Sequence, residues 1–295
     1  MSWILFAILA SLLWSASNII DKYIYTKLLR NPIVSLVMMG MIGIILSIII
    51  YTVVGFSGLS YINLLIAFIS SALYTLAVFL YFKAVKIEEI STIVPLFYVT
   101  PLFVLILAAI FLGEVFTPFK YLGIFLLVAG AMLISAKGAL RLSLGKAFWL
   151  VIASSLAISV NSVAIKYLLS FSDFWTVYAY MRIGVFLCIT PLFFMNFNDI
   201  KGAVTKRRAK AVSWVSISEL LNLAAILLVV IASSVGYVTL VGALTSIQPF
   251  FILVITVLMS IYVPKILKED IGKSAIVLKL AAIIIMFAGA MLVGI

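Results

Sequence analysis

The chain has 295 residues, 66% of them hydrophobic and only 10% charged, with a formal net charge of +11. Water-soluble domains carry about 25% charged residues, so no water-soluble surface can be built from this composition and lipid must be the solvent. One cysteine, Cys188, and no histidine are present, which excludes an intramolecular disulfide and removes the usual metal ligand and the usual general base near neutral pH.

A membrane span needs about 20 apolar residues to cross roughly 30 Å of hydrocarbon. Ten segments qualify: 3–21, 32–55, 61–83, 91–112, 118–136, 146–168, 174–197, 211–234, 237–261 and 273–295. The start, Met1-Ser2-Trp3, has no basic n-region, so the first segment reads as a retained span and not as a cleaved signal peptide. The longest connections lie near 198–210 and 262–272. Neither can hold a soluble catalytic or nucleic-acid-binding module.

The charges sort by loop. One side collects Lys22, Lys27, Arg30, Lys83, Lys86, Lys137, Arg141, Lys146, Lys201, Lys206, Arg207, Arg208, Lys210, Lys265, Lys268 and Lys273, sixteen in all, and the other only Lys120 and Lys166. Under the positive-inside rule the basic loops are cytoplasmic, which puts both termini outside the cell membrane. The basic run Lys206-Arg207-Arg208 sits in a short loop between spans and does not point to nucleic acid.

Five residues occur twice, as Ala129-Gly130-Ala131-Met132-Leu133 and Ala288-Gly289-Ala290-Met291-Leu292, each closing a hydrophobic segment. Pro101 after Tyr98-Val99-Thr100 pairs with Pro249 after Ser246-Ile247-Gln248. Ser17-Asn18 stands before Lys22-Tyr23 at the spacing of Asn161-Ser162 before Lys166-Tyr167. Five spans per half force opposite orientations. The expected fold is an all-α integral membrane protein of ten transmembrane helices, arranged as two inverted five-helix repeats over 1–140 and 141–295.

Pro95, Pro101, Leu112-Gly113-Glu114, Gly123 and Ala129-Gly130, with the early run Leu13-Trp14-Ser15-Ala16-Ser17-Asn18, resemble the pattern of the EamA family in the drug/metabolite transporter superfamily. The resemblance covers essentially the whole chain. It implies a ten-helix fold that carries small metabolites by alternating access, commonly as export. The second half departs from the pattern: Val263-Pro264-Lys265-Ile266-Leu267-Lys268-Glu269-Asp270 replaces the Gly-Glu signature. The family is generally drawn with cytoplasmic termini, the reverse of the charge bias here.

Gly123 and Gly130, like Ala282 and Gly289, are seven residues apart. That is close to two turns, so each pair makes a face on which helix backbones approach closely. Pro101 and Pro249 are candidate hinges or cavity-lining breaks, with simple kinks as the alternative. Arg182 and Glu219 each lie about eight residues into their spans, roughly 12 Å deep at 1.5 Å per residue. A charge there costs several kcal/mol unless it is paired or hydrated. They form a structural ion pair or line a cavity that binds substrate, with Glu219 also a candidate coupling acid.

Asn222, one turn from Glu219, faces the same way. Asn18, Asn161 and Gln248 bind substrate or brace helices. Trp14 and Tyr74 are the deeper aromatics and the better candidates for cavity walls. Glu114, at a span end, reads as a helix-terminal or loop contact.

These features point to secondary transport of a small organic metabolite, with an amino acid or related zwitterion as one fit. No nucleotide-phosphate loop is present to power it, so coupling to a proton or solute gradient is expected. The alternative is a flippase for a lipid or lipid-linked headgroup, using Lys166, Lys279 and Arg182. An enzyme is disfavoured by the scattered acids. Neither cofactor nor metal is expected. The partners are a small-molecule substrate and the lipid bilayer, and a homodimer is left open.

Overall fold

A computed structural model describes residues 2–24, 33–85, 87, 90–135, 145–197, 209–262 and 273–294. Twelve helices and no strand occur among the described residues. In order they are α1 (Ser2–Tyr23), α2 (Ile33–Val53), α3 (Tyr61–Val85), α4 (Ile90–Phe97), α5 (Thr100–Leu112), α6 (Pro118–Ser135), α7 (Lys146–Leu168), α8 (Phe174–Met195), α9 (Ala209–Val235), α10 (Val238–Thr245), α11 (Gln248–Tyr262) and α12 (Lys273–Gly294). Among the described residues nine stretches are long and apolar enough to cross a membrane, α4–α5 and α10–α11 each forming one of them, with a shorter apolar helix at Leu278–Gly294. The 263–270 departure from the family pattern, Glu88, Glu89 and most of the basic loop residues lie outside the described residues.

Two spans are broken at matching places. Pro101 stands in the first turn of α5, and Pro249 is the second residue of α11. Proline is tolerated in a first turn because the amide it lacks would have no intrahelical acceptor there. Each proline therefore starts a half-helix instead of kinking a continuous one. Pro95 and Pro191, by contrast, sit inside α4 and α8.

Packing across the halves is reciprocal. The first-half helix α1 packs on α9, and its counterpart α7 packs on α3; α2 pairs with α8 and α6 with α12. The shared contacts run antiparallel. Ser17 meets Ser218 while Trp14 meets Asn222; Asn161 meets Ser70 while Ser154 meets Ala77. On α6 and α12, a Cβ added at Gly123 would lie 2.9 Å from the Gly289 carbonyl, and one at Gly130 would lie 2.9 Å from the Ala282 carbonyl. The small-residue faces of the two helices thus pack against each other, Gly123 opposite Gly289 and Gly130 opposite Ala282. Antiparallel pairing of equivalent helices is the arrangement that inverted repeats require.

Serines on α1 and α7 hold the broken spans. Ser15 Oγ shares its proton between the Ser11 carbonyl of its own helix at 2.6 Å and the Gln248 carbonyl at 3.0 Å, and Ser159 Oγ shares its proton between the Ser155 carbonyl at 2.7 Å and the Thr100 carbonyl at 3.1 Å. These are equivalent bonds, each made from one half to the half-helix start of the other.

Candidate functional site

The Leu112-Gly113-Glu114 signature is explained by its backbone. Gly113 ends α5 in the left-handed region, φ 68°, where a side chain is strained. The turn delivers Glu114, which is only 3% exposed, to the start of α10. Its two oxygens accept the Val238 and Thr239 amides at 2.9 and 3.1 Å. Free amides at a helix start attract a carboxylate, so Glu114 is a helix-terminal contact, as its position in the sequence suggests. Lys166 does the opposite job. Its Nζ donates to the Ser233 and Gly236 carbonyls, both at 2.7 Å, at the end of α9.

The polar residues at mid-span depth come together around α9. Trp14 Nε1 donates to Asn222 Oδ1 at 2.9 Å, and Asn222 Nδ2 donates to Glu219 Oε2 at 3.2 Å. Asn222 therefore orients the carboxylate. The Met39 sulfur lies 3.9 Å from both Asn222 Nδ2 and the Tyr74 hydroxyl. Arg182, on α8, is 2% exposed and Glu219 is 8% exposed.

The guanidinium of Arg182 lies 5.5 Å from the ring centroids of both Tyr74 and Tyr178. Its aliphatic part rests near Gly43, where an added Cβ would be 3.5 Å from Cδ. Tyr178 is fixed by its own hydroxyl, which donates to the Leu223 carbonyl at 3.1 Å. Arg182 Nε and Nη1 have no hydrogen-bond partner. Glu219 takes its hydrogen bond from Asn222, so the pair is not a closed salt bridge of the kind the sequence left open. Magnitudes decide what this means. Each ring contact is worth about 2 kcal/mol when desolvated. Burying the charge costs several kcal/mol, and each unmet donor adds about 1–3 kcal/mol. The charge of the arginine is thus incompletely compensated by the described residues.

The other candidates separate. Asn161 Nδ2 donates to the Ser70 carbonyl and hydroxyl at 3.1 and 2.8 Å, in the place where Ser17 meets Ser218 on the other side. Its amide braces helices. Asn18 is exposed and shares a face of α1 with Trp14, one turn away. Gln248 is half-buried, and its carbonyl is held by Ser15.

Sequence reading passed over three residues. Met39 lies between Tyr74 and Asn222. Ser218 Oγ donates to Asp21 Oδ1 at 2.6 Å, and accepts from Ser17 Oγ at 2.9 Å. Asp21 looks like a loop charge because Lys22 follows it. The available signal was helical spacing: positions 14, 18 and 21 share one face.

No curated protein matches the chain. A solved structure described only as the crystal structure of a protein superposes with a TM-score of 0.75 over 99% of this chain and 96% of that one, at 18% identity. A likeness at that identity carries the fold alone. Residues 1–136 match the model of the EamA-like transporter family. This stretch contains the Pro101 break, the Gly113-Glu114 turn and the Gly123–Gly130 face, and over it the chain is similar to the EamA-like transporter family.

Proposed function

We propose that the protein is a secondary transporter of the cell membrane that moves a small carboxylate-bearing metabolite, an amino acid or related zwitterion, by alternating access. The observation that carries this reading is Arg182, a buried guanidinium with two unpartnered nitrogens beside two aromatic rings. A carboxylate accepts the charge-assisted hydrogen bond that either nitrogen can donate. Glu219, held open by Asn222, faces the same region. It accepts an ammonium group or exchanges a proton. The half-helices at Pro101 and Pro249 supply interrupted backbone of the kind that lines transporter cavities.

The lipid-flippase alternative has less support. Lys166 is engaged with two backbone carbonyls, so it is not available to a headgroup phosphate. The family is one of transporters, and we take the protein not to be an enzyme.

The test uses purified protein in liposomes with a mixture of radiolabelled amino acids. Wild-type protein is expected to show counterflow of the probe. Arg182→Gln is expected to reduce it by at least about tenfold, the loss of a charge-assisted pair of about 1.5–3 kcal/mol or more. Arg182→Lys keeps the charge but not the fork, and falls between them. Counterflow indifferent to Arg182→Gln sinks the assignment.

A further inference from the structure

Four carboxylates occur among the described residues: Asp21, Glu114, Asp173 and Glu219. Two of them cap helices. Glu114 holds the start of α10, and Asp173 holds the start of α8 through the Trp175 and Thr176 amides. The remaining two lie on facing, antiparallel helices. Asp21 is on α1 and Glu219 on α9, and Ser218 between them donates to Asp21 at 2.6 Å. Asp21 acts electrostatically on Glu219.

Their depths differ. Trp14 is level with Asn222 and Ser17 with Ser218, while Tyr23 meets Trp214 edge-on at 5.9 Å. Asp21 therefore lies nearer the α9 start than Glu219 does, by about one helical turn, roughly 5 Å. It stands between the deep acid and that face of the membrane, and it is only half-buried.

The reciprocal contact shows what the fold itself demands. In the α3–α7 pair the equivalent of Asp21 is Ile165 and that of Glu219 is Ser71. The same packing is built there with neither acid, while Asn161–Ser70 repeats the bracing contact. Both carboxylates are thus absent together from the equivalent helix pair. A second observation points the same way. The buried Arg182, with two unpartnered nitrogens, also acts on Glu219.

We propose that Asp21 is a proton relay for Glu219, the proton passing from one carboxylate to the other between the deep site and the membrane face. The inference rests on the transport reading above. The step balances simply: Glu219 gives its carboxyl proton to the Asp21 carboxylate, one O–H bond breaks and one forms, and the pair keeps the same net charge. A proton crosses this stretch of low dielectric without leaving two charges or none behind. The groups facing the pair are Arg182 from α8 and Tyr74 and Tyr81 from α3, with Lys22 next to Asp21 on α1. Asn222 and Ser218 orient the two acids.

The experiment uses proteoliposomes with a trapped pH dye and the radiolabelled amino-acid mixture as probe. Asp21→Asn is expected to keep counterflow, which needs no net proton movement, and to lose proton-driven accumulation by at least about tenfold. Asp21→Glu is expected to restore accumulation. Equal loss of both activities in Asp21→Asn, or loss of neither, overturns the relay. If the wild-type protein shows no counterflow of the probe, it is the transport reading that fails. Infrared spectroscopy then decides the pair. The carboxyl band missing from Glu219→Gln is expected to titrate at a pH displaced by about one unit or more in Asp21→Asn, as for interacting sites. An unmoved midpoint overturns the pair.

Discussion

At the scale of single residues, the charged side chains divide into those the helices use up and those they leave over. Asp173 is used up. It precedes α8 and accepts from the Trp175 and Thr176 amides at 2.8 and 3.1 Å and from the Thr176 hydroxyl at 2.7 Å. Partial burial pushes its carboxyl up, but the Thr176 hydroxyl and the amides outweigh it and hold the group below its ordinary 3.8. A carboxylate depressed in the folded state stabilises the fold above its unfolded value and loses that contribution as pH falls through the folded one. Asp173→Ala is expected to cost about 1 kcal/mol at neutral pH in detergent unfolding. Asp173→Asn keeps the cap and is expected to flatten the acid side of the stability profile below about pH 4. A wild-type acid profile in Asp173→Asn contradicts the assignment.

The same division shows what could be read from residue types alone. Arg182, Glu219 and Asn222 stand out because each breaks an apolar run where lipid or core is expected, and the structure places them near Trp14 and Tyr74. Asp21 escaped because depth, not type, separates a loop acid from a membrane acid, and a residue two places from a helix end has no clear depth in sequence. Asn161 left two readings open. An amide in mid-span fits a solute as well as it fits a neighbouring serine, and only the position of Ser70 separates the two.

At the scale of elements, the junction between α9 and α10 is secured by opposite charges from two other helices. Glu114 satisfies the amides that open α10, and Lys166 the carbonyls that close α9. Glu114→Ala leaves two buried donors without acceptors, at about 1–3 kcal/mol each. We expect a loss of at least about 2 kcal/mol in reversible unfolding. Glu114→Gln is expected to lose much of the same stability, because its amide nitrogen cannot accept. The α6–α12 seam gives a second expectation. An added Cβ at Gly289 lies 2.7 Å from the Gly123 carbonyl and 2.8 Å from the Leu127 amide nitrogen, both backbone. At Gly130 the nearest atom belongs to the Met286 side chain, and the nearest backbone atom, the Ala282 carbonyl, is farther, at 2.9 Å. Gly289→Ala is therefore expected to cost about 1–3 kcal/mol and to exceed Gly130→Ala. The reverse order in thermal unfolding contradicts the seam.

Elements were largely legible in advance because span length and apolar composition leave little choice in lipid. The breaks were less so. Pro101 and Pro249 announce a disturbed helix, but kink and fresh start differ by the course of the backbone two residues earlier. Nothing in residues 98–99 or 246–247 declares that difference.

At the scale of the whole molecule, the pairs α1–α9 and α7–α3 repeat one packing arrangement across the two halves. The site we propose lies where the halves differ: Ser71 and Tyr74 on α3 answer Glu219 and Asn222 on α9. A symmetric frame provides two related positions for rocking, and its asymmetric lining gives them a preferred cargo. Orientation belongs to this scale too. The sixteen-to-two distribution of basic residues leads us to propose that both termini face outward. A phosphatase fused after Ile295, active only outside the cytoplasm, is expected to be active. A silent phosphatase with a fluorescent cytoplasmic reporter reverses the orientation.

The two serine bonds, Ser15 to the Gln248 carbonyl and Ser159 to the Thr100 carbonyl, bear on how the protein is made. As the ribosome delivers the chain in order, α1 reaches the bilayer more than two hundred residues ahead of the carbonyl that Ser15 serves. Glu114 likewise waits for α10, with its carboxylate unclaimed. Biogenesis thus passes through a half-made intermediate whose polar groups lack their final acceptors and donors. Such an intermediate is a natural client for insertion chaperones, and for quality control when synthesis stalls between the halves.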